Sequence, residues 1–237
     1  MHLWMARAAT ALALSGAALA ASAANVTLTG WTYGSGNSVH ATYGIGQSYA
    51  GAAGGFTGSL SGTPGGKFDT SAFNTYCIEL TEHFSFSSNP MLQYNVVDGA
   101  SYFGGRYSDA SKSTALGKLL TYVSANPTMV DTAAESTAMQ LAVWNLVYDT
   151  DFTVSSGSFA DTSAYKTQAN ALLAGAAGVT TSLFSVYALE KAGSQDFLLA
   201  VRNPPAGQTV PEPASLVLVA LGLMAAFFAR QRASRQR

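Results

Sequence analysis

Residues 132–148, TAAESTAMQLAVWNLVY, decide how this chain folds. The hydroxyl of Thr132 can accept a backbone N–H while Glu135 reaches back to it, a capping box that predicts the start of a helix. Almost every side chain from Met139 to Val147 is apolar, so the helix has little polar surface and we expect it to be buried. Gln140 lies inside this run, and an unpaired buried carboxamide costs about 1–3 kcal/mol, so it needs partners.

The segments around this helix predict an α+β domain, a β-sandwich or barrel-like sheet with an inserted helical layer. Alternating apolar residues and Gly-rich turns predict strands on the N-terminal side, and helical spacing follows before the pattern returns to strands. Asp98-Gly99 is read as a turn, and Asn126-Pro127 as the end of a helix. Strands are predicted at 26–33, 38–43, 55–60, 73–86 and 91–97, helices at 115–125, 132–148 and 162–177, and a hairpin at 183–190 and 196–202.

The N-terminus has the pattern of a secretory signal peptide, residues 1–23. A short basic segment, Met1 to Arg7, precedes an apolar run to Ala20 and then the small residues Ala21-Ser22-Ala23. We predict that signal peptidase cleaves after Ala23, with Ala20 as the alternative. No cysteine lies near the cut, which argues against a lipoprotein.

The C-terminus is organised as a membrane segment. Pro211-Glu212-Pro213 precedes an apolar run of 16 residues, 214–229, and four arginines follow it. The run spans about 24 Å, short of the roughly 30 Å of a bilayer core, so local thinning would have to complete a crossing. The arginines would hold the end in the cytoplasm, and a plain membrane anchor is one interpretation.

This tail, residues 210–237, also resembles the PEP-CTERM sorting signal of Gram-negative bacteria. The resemblance implies recognition by exosortase, a membrane peptidase thought to remove the signal, and only transient insertion in the inner membrane. Residues 204–209 would be a linker and 24–203 the surface domain. The mature protein would then lie on the outer cell surface or in the extracellular matrix.

The charges exclude some partners. All 13 acidic residues lie between Asp69 and Glu212, against seven Lys and Arg from Lys67 to Arg202. An acidic surface without a basic cluster argues against nucleic acid and anionic membrane as ligands.

Cys77 is the only cysteine of the chain. Exported proteins use cysteines in pairs, so a single one indicates intermolecular pairing, a reactive thiol or another covalent use. Cys77 could be an inert buried residue, with Gln140 bonded to a strand edge. Alternatively, the thiol could attack the Gln140 carboxamide, expel ammonia and close an internal thioester.

Three motifs resemble the thioester (TQxA) domain of bacterial surface adhesins: Tyr76-Cys77-Ile78-Glu79, the helix at 115–123, and Gln140-Leu-Ala-Val-Trp144. The resemblance implies a bond between the Cys77 and Gln140 side chains, with Ala142 and Trp144 on the motif's Ala and Trp and Met139 where the family often has Thr. Tyr76 and Glu79 would support the site by orienting it, and Trp144 would either shield the bond or simply be a core residue. Such a site captures an external amine or hydroxyl, on a protein or a polysaccharide, once and without turnover, so no enzyme is expected.

Other interpretations remain open. A Cys-His hydrolase would need His40 or His83, and His83 lies six residues from Cys77, too far along an extended chain for a direct hydrogen bond. One Cys and two His match no tetrahedral metal set, so neither a metal nor a cofactor is expected. Glu79, Glu82 and His83 are read as surface and strand residues. The main alternative is a non-covalent surface or biofilm-matrix protein in which Cys77 and Gln140 are core residues.

Overall fold

The computed structural model describes residues 22–84, 86, 92–149 and 151–205. Six antiparallel strands form a nearly closed sheet in the order β5-β4-β1-β6-β8-β9, and β3-β2-β7 form a smaller sheet. The strands are β1 Ser22–Trp31, β2 Asn37–Tyr43, β3 Gln47–Ala53, β4 Phe56–Ser61, β5 Thr70–Thr75, β6 Leu92–Asp98, β7 Phe159–Asp161, β8 Phe184–Glu190 and β9 Phe197–Arg202.

Four helices lie between β6 and β8 in the chain, as the predicted helical insertion requires. They are α1 Gly99–Tyr107, α2 Ser111–Ala125, α3 Ala133–Tyr148 and α4 Lys166–Ala177, with short 3-10 turns at Pro64–Gly66 and Pro127–Met129. Helix α3 is central: it packs against the other three helices and against β2, β3 and β7. Every residue from Ser136 to Val147 is buried, and the capping box of Thr132 and Glu135 is present, so both predictions for this helix are confirmed.

The large sheet nearly closes through a short segment after β5, residues 76–80, which we call the closing segment. Cys77 forms an isolated antiparallel bridge with Phe197 at the start of β9. The bridge is flanked by a bond from Leu198 N to Tyr76 O (2.9 Å) and one from Ile78 N to Asp196 O (3.1 Å). The strand predicted over 73–86 is therefore wrong for residues 76–84, because the chain here pairs with β9 through one bridge only.

The other predicted strands and helices are largely found, and the α+β class is confirmed. Three elements were missed, namely β3, α1 and β7. Asp98-Gly99 is not a hairpin turn. Asp98 caps α1 by accepting a hydrogen bond from Ser101 N at 3.1 Å, and Gly99 is the first residue of that helix.

The predicted signal peptide and the C-terminal sorting signal lie largely outside the described residues. Signal-peptide residues 1–21 and everything from 206 onward, including Pro211, Glu212, Pro213 and the predicted span 214–229, lie outside the described residues. Within the described ranges, no helix has the length and apolar character needed to cross a membrane. The compact unit that contains the described strands and helices ends at Arg202.

Candidate functional site

Gln140 and Cys77, the two residues singled out from the sequence, lie in direct contact. Cys77 N donates to Gln140 Oε1 at 2.9 Å, and Gln140 Nε2 donates to Cys77 O at 2.8 Å. Gln140 is fully buried, and Cys77 is a buried, free thiol. Along one edge of the closing segment, the backbone at β9 hydrogen-bonds the neighbouring residues 76 and 78. Along the other edge, the Gln140 carboxamide makes the two hydrogen bonds to Cys77 that an adjacent strand would make.

The rest of the closing segment is also held by side chains. Four polar side chains, from β2, α1, α3 and the loop before β9, bond its backbone N–H and C=O groups, as buried backbone groups require. These contacts are Tyr107 OH to Ile78 O (3.2 Å), Gln195 Nε2 to Glu79 O (2.9 Å), Leu80 N to Tyr148 OH (2.8 Å) and Tyr43 OH to Leu80 O (3.3 Å). The position of Cys77 is thus fixed by several elements that are distant in sequence.

Glu79 is not the surface residue that the sequence suggested. Its side chain is fully buried. Its Oε2 accepts from Thr81 N and Thr81 Oγ1, both at 2.6 Å, and from Glu82 N at 2.9 Å, while Gln195 Nε2 donates to Oε1 at 2.7 Å. The carboxylate therefore stabilises a bend of the chain just after the closing segment, because it accepts hydrogen bonds from residues two and three positions further on.

A second buried carboxylate, Asp196, lies on the other side of the bridge to Phe197. Tyr102 OH donates to Asp196 Oδ2 at 2.7 Å, and Lys191 N donates to Oδ1 at 2.8 Å. Arg106 Nη1 lies 3.5 Å from Asp196 Oδ2, and its Nη2 lies 4.0 Å from Glu79 Oε2. Burial nevertheless raises the pKa of Asp196 to about 6. This network was not predicted, because it depends on α1, a helix that the sequence pattern does not indicate.

The electrostatic surroundings make Cys77 a poor nucleophile in its free form. Burial raises the pKa of its thiol well above the usual value, and the nearby Glu79 carboxylate adds to the effect. The thiol is therefore favoured over the thiolate, so a reaction of Cys77 must pass the thiol proton to another group.

A cleft of about 350 Å³ opens beside Cys77. Five of its lining residues are aromatic: Trp31, Tyr49, Phe56, Phe84 and Phe86. Cys77, His83 and Gln195 also line it. The chain between Cys77 and His83 is not extended as predicted, because it bends where Glu79 bonds Thr81 and Glu82. Both Cys77 and His83 line the same cleft.

The supporting residues proposed from the resemblance lie in the surrounding core. Trp144 is buried and packs edge-on against Tyr49, with ring centroids 5.1 Å apart, so it lies behind one wall of the cleft. Its Nε1 has no hydrogen-bond partner within the described part of the chain. Ala142 is fully buried, and the Tyr76 ring packs beside Gly55. Among the described residues, no group of three or more His, Cys, Asp or Glu is arranged to hold a metal ion.

Comparison with known proteins identifies the tail. Residues 209–233 match the sequence model of the PEP-CTERM protein-sorting motif. Neither the curated proteins nor the solved structures include one that is significantly similar to this chain. The match supports exosortase as a processing partner and a protein that is exported and directed to the cell surface.

Proposed function

We propose that this exported protein captures an external nucleophile covalently, through a thioester between Cys77 and Gln140. The observation that carries the proposal is the contact of the Gln140 carboxamide with the peptide group of Cys77, at 2.9 and 2.8 Å, inside the core. This contact holds the acyl carbon beside the residue that bears the thiol. The family resemblance of the motifs around both residues supports the same pairing.

The arrangement suits the chemistry of thioester formation. Cys77 Sγ attacks Gln140 Cδ, the C–S bond forms, and Nε2 leaves as ammonia with the thiol proton. As negative charge develops on Oε1, the Cys77 N–H at 2.9 Å can stabilise it, as the donors of an oxyanion hole do. Burial of both residues then protects the thioester from water.

Capture would follow at the same carbon. An amine or hydroxyl on a protein or polysaccharide attacks the acyl carbon, the C–S bond breaks, and Cys77 returns to a thiol. The cleft beside Cys77 is the route by which such a group reaches the site. Each molecule reacts once, so the protein acts as an adhesin-like covalent binder of the surface or biofilm matrix.

A second function has its own support. The two hydrogen bonds to Cys77 satisfy the Gln140 carboxamide and close the open edge of the segment without any covalent bond. Cys77 and Gln140 would then be structural, and the protein a non-covalent component of the cell surface or extracellular matrix.

Intact-mass measurement of the mature exported protein, purified without amines, distinguishes the two. A thioester lowers the mass by one ammonia, and Cys77→Ala restores the full mass. Methylamine should then add to Gln140 of the parent protein and expose one titratable thiol. The control is Cys77→Ala treated in the same way, which should gain nothing. A full mass in the fresh parent protein would exclude the thioester and leave the non-covalent function.

A further inference from the structure

We propose that His83 is the proton carrier of the capture reaction, an inference that rests on the proposed thioester. His83 lines the same cleft as Cys77, although six residues separate them in the chain. Its side chain is exposed, whereas Cys77 is buried. An incoming nucleophile therefore meets the imidazole beside the route to the buried sulfur.

The capture reaction needs such a carrier because a proton must move from the nucleophile to the sulfur. The new bond from nitrogen or oxygen to the Gln140 acyl carbon forms as the C–S bond breaks. The nucleophile loses one proton, and Cys77 Sγ gains one. Burial raises the pKa of this thiol, so departure as a bare thiolate is unfavourable. An imidazole that accepts the first proton and donates it to Sγ balances the step and returns to its neutral form.

The other polar groups at the cleft are poorly suited to this role. Tyr49 OH donates to Ala52 O at 2.8 Å, and burial raises the pKa of Tyr49 to about 12, so it stays a phenol that cannot accept a proton. Gln195 carries a neutral amide. His83 is thus the base among the described residues that line the cleft.

The charged groups close to this region are already engaged. Glu79 accepts hydrogen bonds from Thr81, Glu82 and Gln195, so its oxygens hold the bend of the chain. Glu82, next to His83, accepts from Gly193 N at 2.8 Å. Arg106 faces Glu79 and Asp196.

The aromatic walls of the cleft favour a proton carrier that belongs to the protein over one that comes from solvent. Trp31 stacks on Phe56 with ring centroids 4.6 Å apart, and Phe56 packs edge-on against Phe84 at 5.7 Å. These rings limit the water available to move protons near the sulfur.

The test compares His83→Gln with His40→Gln in the mature protein. His40 is a matched control because it is exposed on β2, and its bond to Thr162 uses its backbone oxygen, which substitution preserves. Both variants should keep the mass deficit of one ammonia. We expect His83→Gln to slow methylamine capture and spontaneous hydrolysis by about a hundredfold, whereas His40→Gln should react like the parent protein.

A pH series separates proton transfer from a structural role. Hydrolysis of the parent thioester should slow on acidification, because a base that already carries a proton cannot accept one from the nucleophile, and His83→Gln should lose this dependence. Equal rates in His83→Gln and His40→Gln, with the mass deficit intact, would overturn the role of His83 and leave the thioester standing. A parent protein of full mass would overturn both proposals. Loss of the deficit in folded His83→Gln alone would also overturn the inference, because it would place His83 in bond formation.

Discussion

A double-mutant cycle of Cys77→Ala and Gln140→Ala should reveal from stability alone whether the two side chains are joined. Alanine at position 77 removes the thiol but keeps the peptide group that bonds Gln140. Without a covalent bond, we expect this change to cost about 1 kcal/mol. Gln140→Ala would leave Cys77 N and O without partners in the core, at about 1–3 kcal/mol each.

A thioester changes these values in a calculable way. The two residues are 63 positions apart, and a cross-link over such a loop stabilises the folded state by about 4 kcal/mol in the chain-entropy treatment used for disulfides. Forming the bond also removes Nε2, so Cys77 O loses its donor at a cost of about 1–3 kcal/mol. Cys77→Ala should then cost about 2–4 kcal/mol, because the cross-link and about 1 kcal/mol of thiol packing are lost while the hydrogen bond to Cys77 O is regained.

The cycle isolates this difference as a coupling energy. Without the bond, Cys77→Ala keeps the backbone groups that Gln140 bonds, so we expect a coupling of about 0.5 kcal/mol, the low end for residues in contact. With it, either substitution breaks the same cross-link, so the double mutant should be less destabilised than the sum by about 1–3 kcal/mol. The assay is guanidinium unfolding in amine-free buffer, with intact mass recorded on each sample. A parent protein that carries the mass deficit but shows additive effects would refute this reasoning.

Two further predictions follow from other parts of the molecule. Because the pKa of Asp196 is raised to about 6 in the folded state, from an ordinary value of 3.8, the folded protein binds this proton more tightly than the unfolded chain. Protonation of Asp196 should therefore raise the free energy of unfolding by about 1–3 kcal/mol as pH falls from 7 to 4. Unfolding curves recorded at both pH values should show this increase in the parent protein and lack it in Asp196→Asn. An equal increase in the two proteins would contradict the prediction. In a host with exosortase, the mature surface protein should start at Ala24 and lack residues 214–229, as terminal peptide mapping can check. A mature chain that starts after Ala20 would instead keep Ser22 and Ala23, which pair with Val96 and Asn95 in the large sheet. Recovery of peptides from the Arg-rich C-terminal end would contradict removal of the tail and leave a plain membrane anchor.

The sequence predicted those parts of the fold whose signals are local. The capping box and apolar run of α3 specify that helix without reference to the rest of the chain, and they placed Gln140 in the core. Helix α1 was missed because its three glycines and the Asp98-Gly99 pair favour a turn. Tertiary packing explains Gly99: a Cβ there would lie 2.5 Å from Val186 O, so only glycine lets the helix start this close to β8.

The candidate site was predicted only in part for the same reason. The motifs identified Cys77 and Gln140, and the structure places them in contact. The burial of Glu79 could not be read from an alternating pattern, because its partner Gln195 lies 116 positions away and Arg106 lies on the missed helix. The position of His83 depends in turn on the bend that Glu79 stabilises.

The closing segment explains why Gln140 is required under either function. A nearly closed sheet needs partners on both edges of residues 76–78, and β9 supplies only one. Gln140 supplies the other from a buried helix: its carboxamide bonds both Cys77 N and Cys77 O, and its carbonyl oxygen remains to bond Cys77 N if the thioester forms. The presence of Gln140 therefore does not separate a covalent binder from a structural protein. A substitution at position 77 does separate them, because alanine there preserves both hydrogen bonds between Gln140 and the Cys77 backbone and removes the one group that a thioester needs.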